Sequence, residues 1–216
     1  MPSIAFRCGC VLAVVSCFGV PLARGQQKPN NEFGVWGSFS SNSPTVYGSR
    51  GHVRFGALAF RYGRVVRASP RLRIEYTLDV EPVEIVHQNS YVSCFVVVNG
   101  VEKMGFCPSG HETVYGGGVS PFGWKFNWRP SHQWQPIAAL TGGFITTTHS
   151  VPWDIPMGTR FNFTFDFQVG IERYNRKRNR AWTFAYKLQH ISNASRTNVN
   201  PGTDLNVFLI GYSILR

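Results

Sequence analysis

The chain has 216 residues, of which 43% are hydrophobic and 14% aromatic, while only 15% are charged. The length suits one domain, and the aromatic content and low charge argue against a coiled coil and against disorder. No run of 18 apolar residues follows the N-terminal segment, which excludes a protein with transmembrane helices. The 22 glycines and 13 prolines are unlike a helical bundle and favour an all-β fold.

Residues 1–25 have the pattern of a secretory signal peptide. Arg7 supplies the positive charge, Cys8–Val20 form the apolar stretch, and Ala23-Arg24-Gly25 fits a small-residue cleavage site. Cleavage would leave residues 26–216 as one domain, and the loss of two arginines lowers the net charge from +11 to +9. For an exported protein, such a basic surface favours acidic lipid headgroups as partners and not nucleic acid.

Two cysteines, Cys94 and Cys107, remain after the signal peptide. An even number of cysteines in an exported chain predicts a disulfide between them. No Cys-x-x-Cys motif or cluster of histidines accompanies the pair, so the sequence predicts no metal site and no cofactor.

Apolar and polar residues alternate repeatedly along the chain. In Arg160–Ile171 every second residue is apolar, beginning at Phe161, and the residues between them are polar, charged or glycine. Because successive side chains of a strand point to opposite faces, such a strand has one apolar and one polar face. In chain order, the strands are predicted at about 33–40, 50–62, 71–82, 114–128, 132–143, 159–173, 180–190 and 204–215.

The predicted connections alternate between short turns and longer loops. The short turns are Gly63–Pro70, Arg129–Ser131 and Tyr174–Asn179, and the longest loop is 83–113. This pattern predicts an eight-stranded antiparallel transmembrane β-barrel of the outer membrane, with the turns in the periplasm and 83–113 as an extracellular insertion. A basic run, residues 173–180, then falls at a periplasmic turn, which argues against nucleic-acid binding.

A soluble secreted barrel or β-sandwich, which would suit a lipid-binding protein, is the alternative fold. There the apolar faces would point inward. Two features favour the membrane barrel: the apolar faces are rich in aromatic residues, and the polar faces carry charges of both signs that suit a small closed lumen.

The end of the seventh predicted strand holds the candidate catalytic residues. His190 and Ser192 are two residues apart and therefore share a face, which the register of Trp182 and Phe184 makes the lipid-facing one. Asp204, at the start of the next strand, falls on the same face. A serine, a histidine and an acid in this order can act as nucleophile, base and orienting acid. Serine and histidine pairs at this spacing are also common in solvated loops, and Asp204 could belong to a turn.

The segment His190-x-Ser192-Asn193-Ala194, followed by Asn200, Gly202 and an acid fourteen residues after the histidine, resembles the signature of the lipid A 3-O-deacylase (PagL) family. The resemblance implies an outer-membrane barrel of a Gram-negative bacterium whose site faces the outer leaflet. It also implies a serine esterase that hydrolyses the 3-hydroxyacyl ester at the 3-position of lipid A, the glucosamine disaccharide anchor of lipopolysaccharide.

The resemblance also implies roles for individual residues. Ser192 would be the nucleophile, His190 the general base and Asp204 the orienting acid. Asn193 would shape the oxyanion site, with backbone N–H groups near Ala194 and Ser195 as donors, and Asn200 would hold the loop. The chain departs from the family pattern at two of these positions, because Asp204 stands where Glu is common and Ser195 where Gly is familiar.

The expected partners are lipid A or lipopolysaccharide as substrate, the lipids of the outer membrane, and also a second copy of the chain as a homodimer. A non-enzymatic outer-membrane barrel with a structural or adhesive role is the competing function. Such a barrel would keep the alternating strands but would have no use for His190, Ser192 and Asp204 on the lipid-facing side.

Overall fold

A computed structural model describes residues 30–48, 52–152, 158–197, 200 and 202–216. The predicted signal peptide, residues 1–25, lies outside the described residues. The strands are β1 (Asn31–Ser40), β2 (Arg54–Ala68), β3 (Leu72–Val98), β4 (Val101–Trp128), β5 (Trp134–Val151), β6 (Thr159–Tyr174), β7 (Arg180–Ser192) and β8 (Thr203–Leu215). Within the part of the chain described, no helix is long and apolar enough to span a membrane.

The eight strands form a closed antiparallel barrel in chain order. The ring closes where β1 pairs with β8, from Glu32 opposite Leu215 to Phe39 opposite Phe208. Closure leaves no free sheet edge within the ring itself, so backbone N–H and C=O groups of the wall pair with neighbouring strands, as a hydrocarbon environment demands. The predicted fold class is confirmed.

The barrel has two different ends. One end, called the turn end here, carries the short connections after β2, β4 and β6 together with both ends of the described chain. The other, the loop end, carries the connections after β1, β3, β5 and β7. In outer-membrane barrels the short turns are periplasmic and the longer loops are extracellular.

The outer wall is apolar and aromatic, as the alternation predicts. On β6 and β7 the exposed side chains are the predicted apolar ones, such as Phe165, Val169 and Trp182. The polar residues between them, such as Asp166 and Lys187, are buried in the interior. Lipid contact is therefore made by the apolar face.

Charged side chains fill much of the interior and pair with one another. Lys125, which is 0% exposed, lies 2.5 Å from a carboxylate oxygen of Glu32 and 2.9 Å from one each of Glu75 and Glu172. Arg61 binds both carboxylate oxygens of Asp79 at 2.6 Å. Buried charges are tolerated when they are paired in this way.

At the loop end the interior is apolar instead, which the sequence did not predict. The inward-facing side chains there form one cluster, made of Val53, Phe55, Val86, Val114, Ile145, Val151, Ile191, Leu205 and Val207. This cluster packs behind the end of β7 and the start of β8. It therefore gives these two segments a rigid apolar backing.

The predicted insertion at 83–113 is a continuation of β3 and β4. The two strands stay paired up to Val98 and Val101, and the two-residue turn Asn99-Gly100, with φ of 54° and 75°, joins them. Asn-Gly is the preferred sequence for such a turn because both residues adopt positive φ. Cys94 and Cys107 form a disulfide across this hairpin.

Two other predicted boundaries are wrong for a common reason. The predicted turn Gly63–Pro70 is largely strand, because β2 continues to Ala68. The predicted loop 144–158 begins only after Val151, where β5 ends. Shifts in register occur between Val65 and Arg67 and between Thr146 and Val151. Such irregularities break the alternation of apolar and polar residues by which a strand is recognised.

Candidate active site

The end of β7 presents His190 and Ser192 on the outer wall. His190 lies opposite Phe165, and Ser192 opposite Phe163, both of which are exposed on the outer face of β6. Directly opposite residues of paired strands share a face, so both polar side chains point away from the lumen. Ile191, between them, points inward into the apolar cluster.

His190 and Asp204 form a direct hydrogen bond. They are opposite each other in the β7–β8 pairing, and Nδ1 of His190 lies 2.6 Å from Oδ1 of Asp204. An ionised carboxylate only accepts hydrogen bonds, so Nδ1 is the nitrogen that carries the proton. In the neutral ring, Nε2 is then the nitrogen that can accept a proton.

The other oxygen of Asp204 is held by three backbone amides. The N–H groups of Val46, Tyr47 and Gly48 donate to Oδ2 at 2.7, 2.5 and 2.8 Å. These residues belong to the first loop, the connection between β1 and β2. They fix the carboxylate in place, stabilise its charge, and help to leave Asp204 fully buried although it lies on the outer wall.

Two glycines mark where the first loop meets the loop between β7 and β8. A Cβ atom on Gly48 would lie 2.7 Å from the carbonyl oxygen of Gly202. A Cβ atom on Gly202, whose φ is +34°, would lie 3.1 Å from Cε1 and 3.6 Å from Nε2 of His190. The absence of side chains here leaves room beside the edge of the imidazole that would react.

Ser192 is the last residue of β7 and is 8% exposed. Within the described residues, its hydroxyl makes no hydrogen bond to His190. The structure thus brings His190 and Asp204 together and leaves Ser192 two residues along the same face. Hydrogen bonds between a nucleophile and its base are often completed only when substrate binds.

The segment after Ser192 is held by Asn193 and Asn200. The side chain of Asn200 accepts the backbone N–H of Asn193 at 3.2 Å, and the side chain of Asn193 accepts the backbone N–H of Ser195 at 2.9 Å. The side-chain nitrogen of Asn193, Nδ2, also donates to the hydroxyl oxygen of Thr197 at 2.9 Å. Ala194 and Ser195 have positive φ, 52° and 59°, and so turn the chain sharply away from the strand.

These bonds distinguish the candidate oxyanion donors. The N–H groups of Asn193 and Ser195 already have acceptors. The residues that the structure describes include no acceptor for the N–H of Ala194. Of the backbone N–H groups that the sequence predicts as oxyanion donors, the one of Ala194 is therefore available for that role.

No pattern in the sequence assigns the first loop to the site. Val46, Tyr47 and Gly48 act through backbone amides, which carry no residue signature, and they are 156 to 158 positions from Asp204. Tyr47, with its ring edge-on to that of His190 at 6.3 Å between centroids, was also not predicted. The one available signal was Gly48, a residue type that permits close approach of two backbones.

Aromatic side chains surround the site on the outer wall. Phe161 packs against Phe144 and Phe163, with ring centroids 5.5 and 5.3 Å apart. The guanidinium of Arg196 lies 5.1 Å above the ring of Phe161. Ser192 thus borders an apolar surface that is continuous with the lipid-facing wall.

An eight-stranded barrel with an aromatic outer wall and a charged interior defines the class of small outer-membrane β-barrels. The family model of lipid A 3-O-deacylases (PagL) matches residues 100–213, more than half of the chain. The chain belongs to this family, as the motif around His190 and Ser192 predicts.

One solved structure shares the fold, and a second shows a weaker likeness. The outer-membrane enzyme PagL is 12% identical, with a TM-score of 0.51 over 84% of this chain and 98% of that chain. The outer-membrane protein OprG from Pseudomonas aeruginosa is 11% identical, with a TM-score of 0.45 over 88% of this chain and 97% of that one. No curated protein sequence matches the chain significantly.

Proposed function

We propose that the chain is a serine esterase of the outer membrane that removes the 3-hydroxyacyl chain from the 3-position of lipid A. The observation that carries this proposal is the 2.6 Å bond between His190 and Asp204 on the outer wall, with Ser192 two residues along the same strand. Polar groups that face lipid are energetically costly, and those that are found there generally serve a function. The outer leaflet, which holds lipid A, lies at the loop end of the barrel.

The mechanism follows from the proton on Nδ1. Nε2 of His190 takes the proton of the Ser192 hydroxyl as Oγ attacks the ester carbonyl carbon. The N–H of Ala194 stabilises the oxyanion of the tetrahedral intermediate. The bond to the sugar oxygen breaks, His190 returns the proton to that oxygen, and an acyl-enzyme remains. Water, activated by His190, then releases the fatty acid and restores Ser192.

The acyl chains of the substrate would lie along the outer wall. Phe161, Phe163 and Phe165 form an apolar strip beside Ser192 and His190 on β6. An acyl chain that lies on this strip places its ester beside Ser192 while the lipid stays in the membrane. Substrate therefore approaches sideways from the leaflet and does not need the lumen.

The test is mass spectrometry of purified lipid A incubated with protein refolded in detergent. Wild type should remove one 3-hydroxyacyl chain, and Ser192→Ala should remove none because it lacks the nucleophile. Ser109→Ala, at an exposed serine on the β3–β4 hairpin, is the matched control and should act like wild type. Unchanged lipid A with a folded wild-type barrel would favour the non-enzymatic alternative, and activity in Ser192→Ala would overturn the assigned nucleophile.

Gly202→Ala should lower kcat by about 100-fold, because the new methyl group would lie only 3.1 Å from Cε1 of His190 and would displace the ring. Gly37→Ala is the control, since a Cβ atom there meets nothing within 4 Å. Deacylation rates in detergent measure the effect. A kcat for Gly202→Ala equal to that of Gly37→Ala would contradict the assigned role of His190 Nε2.

A further inference from the structure

An open cavity of about 850 Å³ lies at the loop end and is lined in part by the first loop. We call it the rim cavity. The first loop forms one wall, and the outer faces of β2, β3 and β4 form the other. Its lining comprises residues 41–45 of that loop together with His52, Arg54, His87, Asn89 and His111.

The strand register shows that the rim cavity faces outward. Arg54 lies opposite His87, which in turn lies opposite Thr113. Their neighbours Phe55, Val86 and Val114 are buried in the apolar cluster inside the barrel. Arg54 and His87 therefore project from the outer wall, near the loop end of the barrel.

The lining has the chemistry of an anion site. Among the residues that the structure describes, it contains one arginine, three histidines and several hydroxyl and amide groups, and no carboxylate. Arg54 makes no ion pair with any residue in the described ranges, while the rings of His87 and His111 stack at 5.4 Å. Guanidinium, imidazole and hydroxyl groups together are well suited to a phosphate. These histidines are not arranged as a metal site, since no group of three His, Cys, Asp or Glu side chains among the described residues could hold a metal ion.

The same loop joins the rim cavity to the proposed active site. Residues 41–45 line the cavity, and the next three residues donate the amides that hold Asp204. Only β1 separates β2, which carries Arg54, from β8, which carries Asp204. Two strand spacings are about 10 Å, a distance that a phosphorylated sugar headgroup can bridge.

We infer that the rim cavity binds a phosphate group of the lipid A headgroup while the ester lies at Ser192. The inference rests on the proposed function, because it takes lipid A as the ligand. It assigns Arg54 as the charged contact and His87 and His111 as N–H donors. Phosphate binding there would place the sugar ring with its 3-position toward β7.

The test is a binding measurement with the Ser192→Ala protein in detergent, so that no substrate is consumed. The probes are lipid A with its phosphates and the same lipid A after enzymatic dephosphorylation. We expect the phosphorylated lipid to bind at least about tenfold more tightly, and Arg54→Gln to remove most of that preference. Arg67→Gln, an exposed arginine near the other end of the same strand, should keep the preference.

Inorganic phosphate is the second probe and should compete only weakly, because it lacks the sugar. Tight binding of inorganic phosphate, with no preference between the two lipids, would overturn the headgroup assignment, as would a preference that survives Arg54→Gln. Cleavage by the wild type separates the two proposals. If binding depends on phosphate and Arg54 but no lipid is cleaved, only the esterase proposal fails; if cleavage occurs without that dependence, only the rim-cavity assignment fails.

Discussion

Replacing Asp204 with Asn is expected to lower kcat for lipid A deacylation by about 10⁴-fold. Three backbone N–H groups point at Oδ2 and require an acceptor there. The amide of Asn would therefore turn its oxygen toward the first loop and its NH₂ group toward His190. Nδ1 would then have to accept a hydrogen bond, the ring proton would move to Nε2, and His190 could no longer take the proton of Ser192.

Single-turnover rates with lipid A, measured in detergent, are the suitable readout. Asp204→Glu is the companion variant because it keeps the carboxylate, and it should retain more activity than Asp204→Asn. Retention of the native electrophoretic mobility of the unheated barrel would show that both variants fold. A folded Asp204→Asn protein with wild-type kcat would refute the proposed role of the acid.

Replacing Lys125 with Met should lower the free energy of unfolding by about 3–5 kcal/mol. The ammonium group of Lys125 lies between the carboxylates of Glu32, Glu75 and Glu172 in the barrel interior. Its removal leaves three buried acids close together with Arg73 as the remaining cation, which lies 2.5 Å from Glu75 and 3.8 Å from Glu172. Lys125 lies on β4 and pairs with acids on β1, β3 and β6. Its loss therefore weakens contacts that hold the ring closed.

Denaturant titration of the refolded protein, followed by tryptophan fluorescence, measures the change. Lys103→Met makes the same substitution at an exposed position on the β3–β4 hairpin and should leave the midpoint unchanged. Equal midpoints for the two variants would show that the interior network contributes nothing to stability. Glu32→Gln added to Lys125→Met should recover part of the loss, because it removes one of the uncompensated charges.

Much of the geometry at His190 could be predicted from the sequence, because it depends on local rules. The period of two in β7 puts His190 on the same face as Trp182, and pairing in a hairpin puts the start of β8 beside the end of β7. These two rules were enough to place Asp204 near His190 on the outer wall. The structure has both features.

The contacts of the first loop could not be predicted in this way. They join residues more than 150 positions apart, and they use backbone amides that any residue would supply. The apolar cluster at the loop end was missed for a related reason. Ile191 and Leu205 lie on strand ends, where few residues remain to establish an alternating pattern.

The β3–β4 hairpin is a different case, because its signal was present in the sequence. Asn99-Gly100 is the dipeptide most characteristic of a two-residue hairpin turn. The surrounding strands carry apolar residues on both faces, including Phe95 and Val98, and so show no clean alternation. The region was therefore predicted as an insertion and not as paired strands.

The amide clamp on Asp204 also has a consequence for biogenesis. Asp204 lies in the last strand and its three donors follow the first, so the clamp forms only when the ends of the chain have met and the barrel is sealed. While the polypeptide is still on its way to the outer membrane, these strands are apart and Asp204 is not held in place. The site therefore cannot hydrolyse an ester at that stage. Esterase activity would thus begin at the moment of completed assembly, in the membrane that contains the substrate, and the unassembled precursor would be harmless to other lipids on its way there.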